Sequence, residues 1–282
     1  MKTQTVPRTE AFHCDGPVEL DLRIREGNIA VKAGEVGHVR VEISALDDRT
    51  DERSVHETRV EYSEQGRKLT LRAPRGFHRA GLSVFVEVPG GSKVEARAHR
   101  GSIAASGQLS SLEAITGGGS VTADEVDGAV HAASGSGSIT LGRISGPVRA
   151  RLGNGDIELS SVEGPGASLT TGLGDVRLGV VGCDAKVRTG KGNVVVSEAS
   201  AGKLDLVSGA GDLRVGVRPG VAAELDVVSG SGQARSELDV TDRPAPGAPV
   251  ARIRLRTGAG EAVVASTAKP TPTTTQAAEL PA

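Results

Sequence analysis

A turn of the form Gly-x-Gly, followed by a small polar residue and then an aliphatic one, recurs along the C-terminal two thirds of the chain. It reads Gly117-Gly118-Gly119-Ser120-Val121, Gly135-Ser136-Gly137-Ser138-Ile139, Gly153-Asn154-Gly155-Asp156-Ile157 and Gly172-Leu173-Gly174-Asp175-Val176. It continues through Gly190-Lys191-Gly192-Asn193-Val194, Gly209-Ala210-Gly211-Asp212-Leu213, a weaker Gly230-Ser231-Gly232-Gln233-Ala234, and Gly258-Ala259-Gly260-Glu261-Ala262. An incomplete copy, Arg100-Gly101-Ser102-Ile103, opens the series. From Gly101 to Gly211 the second glycine returns every 18 or 19 residues, and the last two intervals, to Gly232 and Gly260, lengthen to 21 and 28. Repeats of this length are the mark of stacked architectures.

Inside one period the spacing is that of strands. After Gly137 the apolar positions are Ile139, Leu141 and Ile144, then Val148 and Ala150 beyond Gly146, and the offsets recur after Gly119 and Gly174. Each period therefore reads as two strands of about five residues with a turn at each end, apolar side chains to one side and Thr, Arg, Glu and Ser to the other. Five buried aliphatic side chains contribute roughly 5–10 kcal/mol. Ordering 18 residues costs on the order of 18–36 kcal/mol. One period cannot stand alone, so neighbours must hydrogen-bond and share an apolar column. The expected fold is all-β, a β-helix-like β-solenoid of ~18-residue two-strand coils with a β-rich N-terminal cap. Pairing each period as a hairpin in an antiparallel sandwich is the alternative. Three segments follow: a cap over 1–98 continuous with the solenoid, the repeats over 99–265, and a disordered polar tail over 266–282.

Composition supports thin layers. Gly fills 39 of 282 positions, about twice the usual ~7%. The only aromatics are Phe12, Tyr62, Phe77 and Phe85, all in the first segment, with no Trp. That segment alternates at 18–22, 39–43, 69–71 and 84–88, holds an isolated repeat-like turn at Glu26-Gly27-Asn28-Ile29, and carries a charged stretch at 51–57 suited to one short exposed helix. A net charge of -2, without basic runs or aromatic stacking platforms, argues against nucleic acid. No apolar run reaches the length of a membrane span, and no signal peptide is recognisable. A cytoplasmic location is expected.

Candidate chemistry is sparse. The residue after each turn makes a column in which Asp156, Asp175, Asn193 and Asp212 form a conceivable calcium ladder. However, the calcium-binding β-roll repeats every nine residues with its Asp elsewhere, so side chains folded onto turn amides are the simpler reading. No GxGxxG, Walker, GxSxG or HExxH sequence is present, and the six histidines have no ligand spacing. Cys183 occupies a phase otherwise filled by glycines and reads as a packing residue, while Cys14 is open to either role. No cofactor, resident metal or catalytic residue is expected. Outward positions carry Glu158, Arg177 and Arg214 on one strand and Arg149, Lys186 and Asp205 on the other, a solvated face or a flat recognition surface.

The repeated Gly-x-Gly-[Asp/Asn/Ser]-[Ile/Val], the Asn28-Ile29 element and the run Leu69-Thr70-Leu71-Arg72-Ala73-Pro74 resemble the bacterial adhesin-like β-strand-repeat family, a domain of unknown function, over roughly residues 15 to 265. The Gly, Ala, Val and Arg content looks actinobacterial. The resemblance implies a β-helical fold without a catalytic site. The expected function is therefore a non-enzymatic binding or scaffold protein with a protein partner, linked to envelope-stress physiology. The alternatives are an exported adhesin-like surface protein and, behind it, a carbohydrate-active β-helix enzyme.

Overall fold

The computed structural model describes residues 7–48, 50, 52–74, 81–238 and 249–267. Two strands per coil stack in parallel on two opposed faces, as the period requires. On face B, Val121–Val126, Ile139–Ile144, Ile157–Val162 and Val176–Val181 pair in register, with Val121, Ile139, Ile157 and Val176 in one line. On face A, Val130–Ser136, Val148–Asn154, Ala167–Leu173 and Ala185–Lys191 do the same. The core lies between the faces. In one coil Ile139, Leu141 and Ile144 oppose Val148, Ala150 and Leu152, and all six are buried. The antiparallel sandwich is thereby excluded: the architecture is a β-solenoid.

The turn glycines are fixed by the approach of one coil to the next. Gly174 has φ +137°, and a Cβ there would stand 2.0 Å from the carbonyl oxygen of Gly155. No L-residue fits that space without moving the backbone.

One buried column departs from the expected division of polar and apolar residues. Thr116, Ser134, Thr171, Thr189, Ser208 and Thr257 point inward at the end of each face A strand and are buried. Their hydroxyls donate to glycine carbonyls of the preceding coil: Thr116 to Gly101 at 2.8 Å, Ser134 to Gly119 at 2.8 Å, Thr189 to Gly174 at 3.1 Å. The turn carbonyls thus gain a partner inside the core. Leu152 holds the equivalent place in its coil, where it is buried as an apolar substitute.

The parallel stack extends into the N-terminal segment. Glu19–Gly34 is a 16-residue strand that bends across both faces, pairing with Ser92–Arg100 on face A and with Gly81–Pro89 and Ile103 to Ser106 on face B. Gly27 sits at the bend with φ +126°. Beyond this coil the pairing turns antiparallel: Arg8–His13 on His38–Ala45 for face B, Arg59–Ser63 on Lys68–Arg72 for face A. Phe12 and Tyr62 stack at 5.1 Å between ring centres. The helix Glu52–His56 is present, but Ser54 and Val55 are buried, so it packs rather than standing free. On face A, the nearly buried carboxylate of Asp21 accepts from the Arg72 guanidinium at 2.7 Å and from Arg23 at 3.0 Å. These contacts, above all that to Arg72, hold its pKa below the ordinary carboxylate value despite burial.

The C-terminal coils do not stack in chain order. The strand Val250–Ala259 lies between Gly202–Ala210 and Ala222–Ser231, and Ala262–Ser266 lies between Leu213–Val217 and Ala234–Ser236. The reason is burial. The copy over 222–236 is the weak one, its core-phase Leu225 still 36% exposed, whereas Ile253, Leu255 and Val264 of the later copy are buried. An end coil covers one side only, so the poorer copy sits outermost. The Pro-rich insertion over 243–248 and the tail from residue 268 onward lie outside the described residues.

Two outcomes follow for stability. Gly174→Ala should cost roughly 2–4 kcal/mol from steric strain, lowering Tm by about 5–15 °C in a thermal melt. Asp21 contributes stability that is present above its unfolded pKa and lost as pH falls through the lower folded value. Asp21→Asn should therefore cost on the order of 2 kcal/mol at pH 7. The gap from wild type should close as denaturant melts are moved to about pH 3 and below.

Candidate binding surface

The column after the turns is a hydrogen-bond ladder along the stack. Asp156 Oδ1 accepts the Asp175 N–H at 2.8 Å, Asp175 Oδ1 the Asn193 N–H at 2.8 Å, Asn193 Oδ1 the Asp212 N–H at 2.8 Å, and Asp212 Oδ1 the Glu261 N–H at 2.9 Å. At the other end Asn28 Oδ1 accepts from Ser102 at 3.1 Å, which makes the isolated turn near residue 28 a member of the same column. The second oxygen of Asp175 takes the Arg177 guanidinium at 3.0 Å, and Arg177 also reaches Asp156 and Glu158 at 3.7 and 3.9 Å. These oxygens are aimed at amides of the next coil and at an arginine, instead of converging on a shared point. Among the described residues no group of three or more His, Cys, Asp or Glu is placed to hold a metal ion.

Both cysteines are free and buried. Burial raises each thiol pKa, which disfavours the thiolate that a nucleophile needs. No described helix is long and apolar enough to cross a membrane.

A groove opens on face A. The residues that open its strands, Ser111, Ala129, Pro147 and Gly166, are stacked by the bonds Leu112 N–H to Ala129 O, Val130 N–H to Pro147 O and Val148 N–H to Gly166 O, each 2.9–3.0 Å. Ser111, Ala129 and Pro147 are short beside Glu113, His131 and Arg149 two positions further on. The difference in height leaves a groove of about 640 Å³ running across the strands, lined by Leu112, Val130 and Pro147 with Glu113, His131 and Arg149. His131 is half-buried in this groove. Of the outward residues named from the sequence, Arg149, Lys186 and Asp205 are on face A, and Glu158, Arg177 and Arg214 are on face B. The groove was beyond sequence reading, because Pro147 and Ala129 stand in the turn and carry no periodic signal.

With this geometry in place, the family model described as Toastrack DUF4097 matches residues 18–244. The chain belongs to that family. The Toastrack match begins at Val18, so it takes in the N-terminal coil as well as the glycine repeats through Gly232. No curated protein is similar enough to count as a relative. Among solved structures, the chain is similar to a candidate adhesin from Bacteroides fragilis, at 12% identity and a TM-score of 0.44, covering 93% of this chain and 97% of that one. A candidate adhesin from Parabacteroides merdae has 9% identity and a TM-score of 0.37 over 92% and 95% of the two chains. A candidate lipid-binding protein from Parabacteroides distasonis has 12% identity and a TM-score of 0.26 over 93% and 95%.

If the Asp ladder serves the turns alone, calcium should leave Tm unchanged up to millimolar concentration. Asp175→Ala should cost about 1 kcal/mol with or without calcium. A saturable calcium-dependent rise of several degrees in the melt would restore the metal reading.

Proposed function

We propose that this protein is a non-enzymatic binding or scaffold module that presents face A to its ligand. The observation that carries this reading is the groove over Ser111, Ala129, Pro147 and Gly166. It is a concave strip with apolar and charged walls, the form in which ligand sites recur. Support against the glycosidase alternative comes from the carboxylates. Acid catalysis at a glycosidic bond needs two carboxyl groups free to act across it. Here Asp156, Asp175 and Glu158 share Arg177, and Glu113 is held by Arg97 at 2.5 Å. Solenoids commonly bind along an extended face, because the stack repeats one chemical environment coil after coil.

The test uses the full chain, immobilised, against extract of its host separated into protein, glycan, lipid and small-molecule pools. Ala129 is exposed at the groove, so Ala129→Trp should fill it while leaving the melt unchanged. Wild type should retain a saturable ligand from one pool, and A129W should retain about tenfold less. Equal retention by both, or glycan turnover by the purified protein, would reject the reading. We further propose the cytoplasm as its place of action, consistent with two unpaired thiols. Recovery with membranes or in the medium on cell fractionation would overturn that placement.

A further inference from the structure

Ion pairs tie several basic side chains on face A to acids toward both ends of the solenoid. Toward the N-terminus Lys68 pairs with Glu19 at 2.6 Å, Arg72 with Asp21, and Arg97 with Glu113. Toward the C-terminus Arg252 pairs with Glu224 at 2.9 Å, and Arg254 and Arg256 share Asp226 at 2.9 and 3.6 Å. The middle differs. Arg149, Arg151, Lys186 and Arg188 are exposed and make no ion pair or side-chain hydrogen bond among the described residues. The acid next in register, Asp205 beside Lys186, forms no ion pair with it.

Register converts these residues into a frame. Arg149 aligns with Ser168 and Ser168 with Lys186; Arg151 aligns with Thr170 and Thr170 with Arg188. Same-side residues two apart on a strand are separated by about 7 Å, and alternate strands by about 9.6 Å. Four cations therefore stand at the corners of a rectangle with two hydroxyls, Ser168 and Thr170, on its midline. Each corner is about 6 Å from the centre, within reach of an extended Arg or Lys side chain. Arg149 and Ser168 also line the groove, so the frame is continuous with it. In a chain of net charge -2 this is a cationic island on a flat surface.

The geometry points to a phosphate-binding site: the frame takes a multiply charged phosphate oxyanion over Ser168 and Thr170. Guanidinium groups fork onto phosphate oxygens in pairs, the hydroxyls donate from below, and several anionic charges are needed to balance four cations. A soluble polyphosphorylated molecule and the headgroups of an anionic phospholipid offer the same chemistry. The inference rests on the reading of face A as the binding face and names the chemistry of its ligand.

The experiment titrates the full chain with inorganic tripolyphosphate by calorimetry, and sediments it with vesicles of phosphatidylglycerol or of phosphatidylcholine alone. The test variant is R149Q/R151Q/K186Q/R188Q; the control, R177Q/R214Q, removes two face B cations already engaged by acids. All six are surface residues, and matching melts will establish that both variants fold. Wild type and control should bind tripolyphosphate saturably, and the test variant about a hundredfold more weakly. Co-sedimentation with phosphatidylglycerol, lost in the test variant, would identify a headgroup source. Tripolyphosphate binding without it would identify a soluble one. Absence of saturable binding by wild type to either probe, or equal loss in both variants, would overturn the site. If the site falls while A129W still lowers retention of an extract ligand, the binding-face reading survives alone; if A129W has no effect either, both fall.

Discussion

Everything in this molecule is organised by how closely one turn can lie on the next. At the second glycine of each copy the backbone of one coil approaches the carbonyl of its neighbour to a distance that a methyl group would violate: 2.3 Å at Gly119, 2.0 Å at Gly192, 2.1 Å at Gly211 for a hypothetical Cβ. Contact of that kind fixes the vertical spacing at the turns. With the spacing fixed, strands on both faces fall into parallel register, with local shifts such as that between Val196 and Ala199. The two polar columns beside the turn then become hydrogen-bond ladders. The Asp and Asn side chains accept amides from the coil that follows, and the buried Thr and Ser hydroxyls donate to carbonyls of the coil that precedes. The turn is held from inside and outside by residues that the glycines make close enough to reach.

A stack of this kind is stable in its middle and exposed at its ends, and the two ends are handled differently. The N-terminal end changes pairing direction on both faces and places Phe12 against Tyr62, two of the few aromatics in the chain, across the last layer. Antiparallel edge strands carrying Arg8, Glu10, Arg59 and Glu61 discourage further addition, because charges on an edge oppose pairing with another chain. At the C-terminal end the chain exchanges the order of its last two coils. The exchange puts Ile253, Leu255 and Val264 under cover and leaves the coil with Leu225 and Val228 outermost. Each buried aliphatic side chain is stabilised by about 1.5–3 kcal/mol relative to exposure, so the order that buries the larger set wins.

Much of this was legible in the residues because the physical causes are local. Gly-x-Gly followed by a small polar residue is a turn requirement, and the alternation Ile139, Leu141, then Val148, Ala150 is a strand facing a core. Asn28, far from the regular repeats, was recognisable by the same turn chemistry and does join the ladder. What escaped depended on neighbours distant in sequence. Thr171 and Thr189 look no different from outward threonines such as Thr170; only their position beside the turn carbonyl makes burial favourable. The exchange of the last coils depends on comparing the burial available to two copies, which a search for periods does not weigh. Arg149 and Lys186 were identifiable as outward, but that they stand unpaired beside Arg151 and Arg188, while Arg177 does not, depends on which acids the register brings alongside.

The division of labour between inside and outside explains why the surface, rather than the core, must carry specificity. Inward positions are constrained by volume and by the shared apolar column, so Val, Leu, Ile and Ala recur there with little freedom. The turn columns are constrained by the ladders. That leaves the outward positions of the two faces free to vary without disturbing the stack. Where such positions only need to remain soluble, opposite charges in register satisfy one another, as Arg177 does with its three acids and Arg254 with Asp226. A stretch whose cations form no ion pair gains nothing from them in folding. The four unmatched cations of the frame and the adjoining groove therefore stand among the outward positions that stability does not account for.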